Sequence, residues 1–159
     1  MKLYAIHKEQ IVPISLEQAW DFFSTPKNLS RITPAHMDFR ILSELPEKVY
    51  AGQIIQYTVK PLPLMRMRWV TEITQVEEPG FFIDEQRFGP YAFWHHQHRF
   101  EAVAEGTKII DLVHYGLPLG ILGRIANHLF VKQQLNAIFE YRETVLNEMF
   151  KPRTKTMEV

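Results

Sequence analysis

Between residues 37 and 115 the chain keeps a period of two with no helical crossover, and one helix-forming stretch then runs over residues 124–150. Strands joined without crossover helices pair antiparallel. A sheet with one apolar face needs a cover for it, and the terminal helix is the only element long enough. The pattern therefore predicts an α+β fold. A curved antiparallel sheet of about seven strands wraps a long C-terminal helix, with two short helices after the first strand.

Residues 2–13 read as that first strand, ended by Pro13. Ser15 and Gln18 have capping-box spacing and open a helix with Leu16, Ala19, Trp20 and Phe23 on one face. Thr25-Pro26 starts a second short helix that ends near Thr33-Pro34. Alternation begins at residue 37, where Phe39, Ile41 and Ser43 alternate with Arg40, Leu42 and Glu44. Ile55, Tyr57 and Val59 share a face of the strand that follows Gly52. Met67, Trp69, Thr71 and Ile73 share the inner face of the next, with Arg66, Arg68 and Glu72 toward solvent. Pro61-Leu62-Pro63-Leu64 and Pro79-Gly80 are turns. Residues 81–88 and 91–104 form a hairpin around Gly89-Pro90, and Glu105-Gly106 turns into a last strand, 107–115. The run from Gly116 to Gly123 is a loop or a broken helix start. Pro152 stops the long helix. The expected organisation is a single ligand-binding domain over 1–150 and a disordered tail over 151–159.

Composition narrows the function. Eighteen basic residues balance eighteen acidic ones, 18 against 18, and no basic stripe marks a nucleic-acid binder. The chain has no cysteine, which excludes disulfides, thiolate metal sites and thiol catalysis. Met1–Glu9 lacks an apolar signal core, and no apolar run suits stable membrane insertion. A cytoplasmic monomer or weak homodimer is expected. Aromatic residues reach 13%, which suits a core or cavity wall of large rings.

One residue breaks the long helix's pattern. At about 100° per residue, Val131, Leu135, Ile138, Val145 and Met149 fall in a narrow apolar stripe with Phe139 and Leu146 at its edge. Arg142 lies in the middle of that stripe. A buried guanidinium stays charged and needs an anion or several acceptors. Arg142 is thus a structural ion pair, an outward-reaching side chain, or an anchor for a ligand.

A second departure is the strand Tyr91 to Phe100, which reads Tyr-Ala-Phe-Trp-His-His-Gln-His-Arg-Phe. Alternation places Trp94, His96, His98 and Phe100 inward and His95, Gln97 and Arg99 outward. A two-residue turn at Glu105-Gly106 would set Phe100 opposite Asp111, His98 opposite Val113 and His96 opposite Tyr115. An apolar wall with a few polar groups is the make-up of a ligand pocket. Its expected contacts are Tyr57, Trp69, Trp94, His96, His98, Phe100, Asp111, Tyr115 and Arg142. His96 and His98, with Asp111 as a third group, have the residue types for acid/base work or for a metal. That spacing is generic, and hydrogen-bonded histidines without metal or cofactor are the expected state. No phosphate loop and no nucleophile elbow is present.

These residues resemble the START-like SRPBCC superfamily, whose helix-grip fold is shared by the birch pollen allergen and polyketide cyclases. The resemblance runs from Ile11 to Arg142 and is carried by Ser15–Phe23, Asn28–Pro34, Arg68–Ile73, Phe82–Gln86, Trp94–Phe100, Asp111–Tyr115 and Phe139–Arg142. It is nearest to bacterial single-domain ligand-binding members. It implies a cavity between sheet and helix for a small hydrophobic molecule: a lipid, isoprenoid or polyketide, with an acidic or polar head to suit the polar residues. Two alternatives accompany it. One is a cyclase, dehydratase or hydrolase using His96, His98, Asp111 and Arg142. The other is an interaction protein, because some relatives are labelled cell-division inhibitors. The resemblance also puts the apolar loops 61–65 and 117–122 near the cavity mouth, as a lid or an interaction patch.

Overall fold

The computed structural model describes residues 1–62 and 65–151. The expected tail beyond Lys151, and Pro63 and Leu64 of the expected turn, lie outside that range. The strands are β1 (Leu3–Val12), β2 (Arg40–Ile41), β3 (Gln53–Leu62), β4 (Met65–Glu77), β5 (Phe81–Phe88), β6 (Phe93–Val103) and β7 (Gly106–Gly116). They form one sheet in the order β1-β7-β6-β5-β4-β3-β2, and every neighbouring pair is antiparallel.

Helix α1 (Leu16–Phe23) starts where the capping box placed it. The Gln18 amide donates to Ser15 Oγ at 3.2 Å, and the Ser15 amide donates to Gln18 Oε1 at 3.0 Å. The helix buries Ala19, Trp20 and Phe23. Trp20 meets Phe82 and Phe100 edge-on at 6.1 and 5.9 Å. Emptying so large a buried site, as in Trp20→Ala, costs about 3–5 kcal/mol. The second helix, Pro26–Ile32, is a 3-10 helix, and another 3-10 turn, Ala35–Met37, follows it. The strand expected from residue 37 shrinks to two residues. Asp38 is left-handed with φ 42°, and Ser43 Oγ accepts from the Gln56 amide at 3.1 Å in place of a ladder bond.

The β6–β7 hairpin differs from expectation by two residues. Val103 pairs with Gly106, so Ala104 and Glu105 form the turn. Gly106 belongs to the ladder, where β1 ends against it. Its φ is +136°, and a Cβ there would collide with the Val12 carbonyl and Pro13. The shift sets His98 opposite Asp111, His96 opposite Val113 and Trp94 opposite Tyr115. Because it is an even number of residues, each side chain keeps its face.

The terminal helix begins earlier than expected. Helix α2 (Ile121–Ala126), a π turn (Asn127–Val131) and α3 (Lys132–Met149) run on without a break for 29 residues. Tyr115 donates its hydroxyl to Asn127 Oδ1 at 2.9 Å, tying the π turn to β7. Gln10 on β1 donates to the Glu143 carbonyl at 3.0 Å and to Asn147 Oδ1 at 2.9 Å, tying α3 to β1. The buried face of α3 is Leu135, Phe139, Arg142 and Leu146. Phe139 and Leu146, expected at the stripe's edge, lie deeper than the partly buried Ile138 and Val145. Among the described residues no helix is long and apolar enough to cross a membrane.

Candidate functional site

Three adjacent strands and α3 build the polar end of the interior. Asp84 on β5 pairs across the ladder with His96 on β6, and His98 pairs with Asp111 on β7. Residues two apart on a strand share a face, so the two histidines stack, with ring centroids 3.7 Å apart. Each imidazole then reaches both carboxylates. His96 Nε2 lies 2.8 Å from Asp111 Oδ1, and its Nδ1 lies 3.3 Å from Asp84 Oδ2. His98 Nε2 lies 2.8 Å from Asp84 Oδ2, and its Nδ1 lies 3.2 Å from Asp111 Oδ1.

Arg142 closes this box from the helix, with Nη1 3.1 Å from Asp111 Oδ1. The anion that an arginine in an apolar stripe requires is therefore Asp111. Its guanidinium also lies 5.0 Å from the Phe23 ring. Arg142 Nε and Nη2 are buried without an acceptor among the described residues. Phe82 stacks on His98 at 4.2 Å, and Phe139 meets His96 edge-on at 5.9 Å. Trp94 donates its indole N–H to Asp84 Oδ1 at 3.2 Å.

The charges follow from this geometry. Burial opposes ionisation of Asp111, but the Arg142 charge and the histidine hydrogen bonds outweigh it and hold the carboxyl well below its usual range. Burial likewise opposes ionisation of Asp84, and hydrogen bonds from His96 and His98 overcome it and lower its pKa. Burial would lower the His96 pKa, yet its bonds to Asp111 and Asp84 raise it. Two carboxylates against one guanidinium leave a single negative charge on the box.

This box is one end of a cavity of about 220 Å³ between the sheet and α3. Phe39, Tyr57, Trp69, Trp94, Ile138 and Phe139 are among its apolar walls, and Asp84, His96, His98 and Arg142 form the polar end. Tyr57 and Trp69 stack at 5.8 Å, and Trp94 stands edge-on to Trp69 at 5.2 Å. The Tyr57 hydroxyl shares a hydrogen bond with Thr71 Oγ1 at 3.0 Å. Burial pushes the phenols of Tyr57 and Tyr91 up, so both stay neutral.

Of the nine expected contacts, Tyr57, Trp69, Trp94, His96, His98 and Arg142 line the cavity. Asp111 does not. It stands behind the histidines and orients them. Phe100 does not either, because it is packed into the core against Trp20 and Phe23, at 5.9 and 5.2 Å. Tyr115 is spent on Asn127. Asp84 escaped the sequence reading, although it shares a face with the aromatic Phe82, the same kind of irregularity that singled out Arg142. Asp84, His96 and His98 also bring three metal-ligand types within 4.8 Å of one another.

The two apolar loops separate. Pro61 lines the cavity and its carbonyl accepts from Gln134 Nε2. The segment 117–122, expected at the same mouth, contributes nothing to the cavity lining among the described residues. Leu117 and Gly120 instead border a second hollow with Met1, Lys2 and Tyr4. Leu119, Ile121, Leu122, Ile125, Leu129 and Phe130 are exposed.

Solved structures share this architecture at low identity. TTHA0849 from Thermus thermophilus matches with a TM-score of 0.72 and 16% identity, over 91% of this chain and 95% of that one. CV1439 from Chromobacterium violaceum matches with 0.70 and 11%, over 93% and 98%. Norcoclaurine synthase from Thalictrum flavum, in complex with dopamine and hydroxybenzaldehyde, matches with 0.63 and 16%, over 92% and 88%. These likenesses show the fold. No curated protein sequence matches the chain. Residues 12–139 match the family described as polyketide cyclase / dehydrase and lipid transport, and this chain, with its helix-grip fold and its apolar cavity between sheet and helix, belongs to that SRPBCC family.

Proposed function

We propose that the protein binds a small, mostly apolar molecule carrying an acidic or hydrogen-bonding head, with the head against Asp84, His96, His98 and Arg142. The observation that carries this reading is a cavity walled by rings and aliphatic side chains whose carboxylate, imidazole and guanidinium groups cluster together. An apolar body gains by burial there, and one polar head finds donors in Arg142 Nε and Nη2. The volume of about 220 Å³ falls below the usual range for drug-sized ligands and favours a one- or two-ring compound or a short isoprenoid over a full acyl lipid. Native mass spectrometry of gently purified protein tests the proposal. A co-purified organic mass, lost in a Trp69→Ala/Tyr57→Ala variant, supports it. Empty protein that also fails to take up small aromatic acids sinks it.

A second reading has its own observation. His96 faces the cavity with a raised pKa and two carboxylates at hydrogen-bond distance. A substrate that displaces Asp84 from His96 Nδ1 would meet a protonated imidazole able to act as a general acid, which returns as a base once it has given up the proton. This suits the cyclisation or dehydration of a polyketide-like substrate. The two readings separate on turnover. A bound compound recovered unchanged supports carriage, and a product whose formation His96→Gln abolishes supports catalysis.

A further inference from the structure

We propose that Asp84, His96 and His98 form a binding site for a divalent transition-metal ion at the polar end of the cavity, with Asp111 as the outer carboxylate that fixes both imidazoles. The imidazoles and carboxylates of the box are short of protons. Each of the four imidazole nitrogens lies 2.8–3.3 Å from a carboxylate oxygen. Two of these contacts, His96 Nε2 to Asp111 and His98 Nε2 to Asp84, have hydrogen-bond geometry, and two neutral imidazoles supply their two hydrogens. The two Nδ1 atoms are then bare lone pairs 3.3 and 3.2 Å from carboxylate oxygens, and protonating one ring still leaves one of them so. Supplying both missing protons stacks two imidazolium rings 3.7 Å apart.

One dication resolves the conflict. Placed among Asp84 Oδ2, His96 Nδ1 and His98 Nε2, it takes both surplus lone pairs. His96 Nε2–H and His98 Nδ1–H then both point to Asp111, at 2.8 and 3.2 Å. His98 Nδ1, buried and otherwise without a hydrogen bond, gains its acceptor through a small rotation. Ligand histidines that donate their second N–H to a carboxylate are the usual outer arrangement of metal sites. Trp94 holds the other Asp84 oxygen, Oδ1, at 3.2 Å, which leaves Oδ2 for the ion.

The ion belongs on the Asp84 side. Arg142 already lies against Asp111, whereas among the described residues the only ion-pair partners of Asp84 are the two histidines. Ligand atoms around a tetrahedral ion at about 2.0–2.2 Å stand roughly 3.3 Å apart. The Asp84–His98 and Asp84–His96 separations, 2.8 and 3.3 Å, need to open only slightly. All three ligands line the cavity and Asp111 does not, so the remaining coordination positions face the organic ligand. The sequence pattern named Asp111 as third ligand. The fold supplies Asp84 and makes Asp111 the supporting group. With two carboxylates, Arg142 and a dication, the box carries one net positive charge. It therefore favours one anionic oxygen donor, a carboxylate, phenolate or enolate on an apolar body. The metal site rests on the box geometry and not on which molecule fills the cavity.

The test titrates chelator-treated, full-length protein with cobalt and zinc at about pH 7.5, where imidazoles are free to ligate. The expected result is one equivalent of cobalt with the visible absorption of a low-coordinate nitrogen/oxygen site, displaced by zinc. Asp84→Asn should weaken binding by far more than tenfold, and Asp111→Asn by about 10- to 100-fold, with unchanged circular dichroism. If either variant fails to fold, histidine ring signals in NMR of the wild-type protein decide. Zinc should move those of His96 and His98. No saturable binding, binding that survives Asp84→Asn, or shifts confined to His7, His36 or His128 overturns the proposal. Native mass spectra of the chelated protein separate this outcome from the organic-ligand reading, because an organic mass retained without metal binding defeats the metal site alone.

Discussion

The two faces of β6 carry similar chemistry in different surroundings. Inward, His96 and His98 are 6% and 7% exposed and lie between Asp84 and Asp111. Outward, His95 Nδ1 lies 2.8 Å from Glu85 Oε1, in a pair that water reaches. The closest His–carboxylate distance is the same on both faces. Water screens the outer pair, and such pairs contribute little to stability. The inner groups are largely withdrawn from bulk water, so their charges and protons depend on being matched by neighbours. The comparison teaches that burial, and not the pairing itself, turns a histidine beside a carboxylate into a site.

Removing the inner cation should separate the faces most. Arg142→Met leaves Asp111 buried without its countercharge and should lower stability by about 3–5 kcal/mol in urea denaturation. Arg142→Met combined with Asp111→Leu should recover much of that loss. A single variant as stable as wild type would show that the ion pair does not hold the helix to the sheet. Asp84→Asn comes next. It weakens hydrogen bonds to two buried imidazoles and should cost about 1–3 kcal/mol, together with any co-purified organic mass. The matched outer change, Glu85→Gln, should cost less than about 1 kcal/mol. Equal effects from these two would erase the distinction.

The pH profile sharpens the same contrast. The folded-state pKa of His96 is raised. Its stabilisation is therefore complete below the unfolded value, about 6.5, and is lost as pH rises through the folded value. Asp84 and Asp111 are shifted down. Their stabilisation is complete above about 3.9 and is lost as pH falls through their folded values. Thermal melts should show a plateau from about pH 4 to 6.5 with decline on both sides. His96→Gln should flatten the alkaline limb. The smallest effect belongs to His95→Gln, which should change stability by no more than about 0.5 kcal/mol.

Much of the fold was legible because its signals are local. The Ser15–Gln18 capping box set the start of α1, and alternation assigned Tyr57, Trp69, Trp94, His96 and His98 to the inner face. Arg142 declared itself by interrupting an apolar stripe. Other features were not local. Phe100 and Tyr115 share a face with the site residues, but their distance along the strand puts one under α1 and the other beside the π turn. Asp84 reads in sequence as one acidic residue in Phe81–Phe88, and only the β5–β6 register places it against both histidines.

By itself, then, the sequence determined the sheet-and-helix architecture, the inward face of the strands that carry Tyr57, Trp69 and His96, and an arginine in an apolar stripe that needs an anion if it is buried. The tertiary structure decided which anion that is, which carboxylate faces the cavity, and that segment 117–122 stands apart from the mouth. The physical reason is that a period of two survives a two-residue slip unchanged. Alternation fixes the face of a side chain, while its neighbour across the ladder depends on where the turn closes. That point was set here by Gly106, which β1 packs against too closely to admit a side chain.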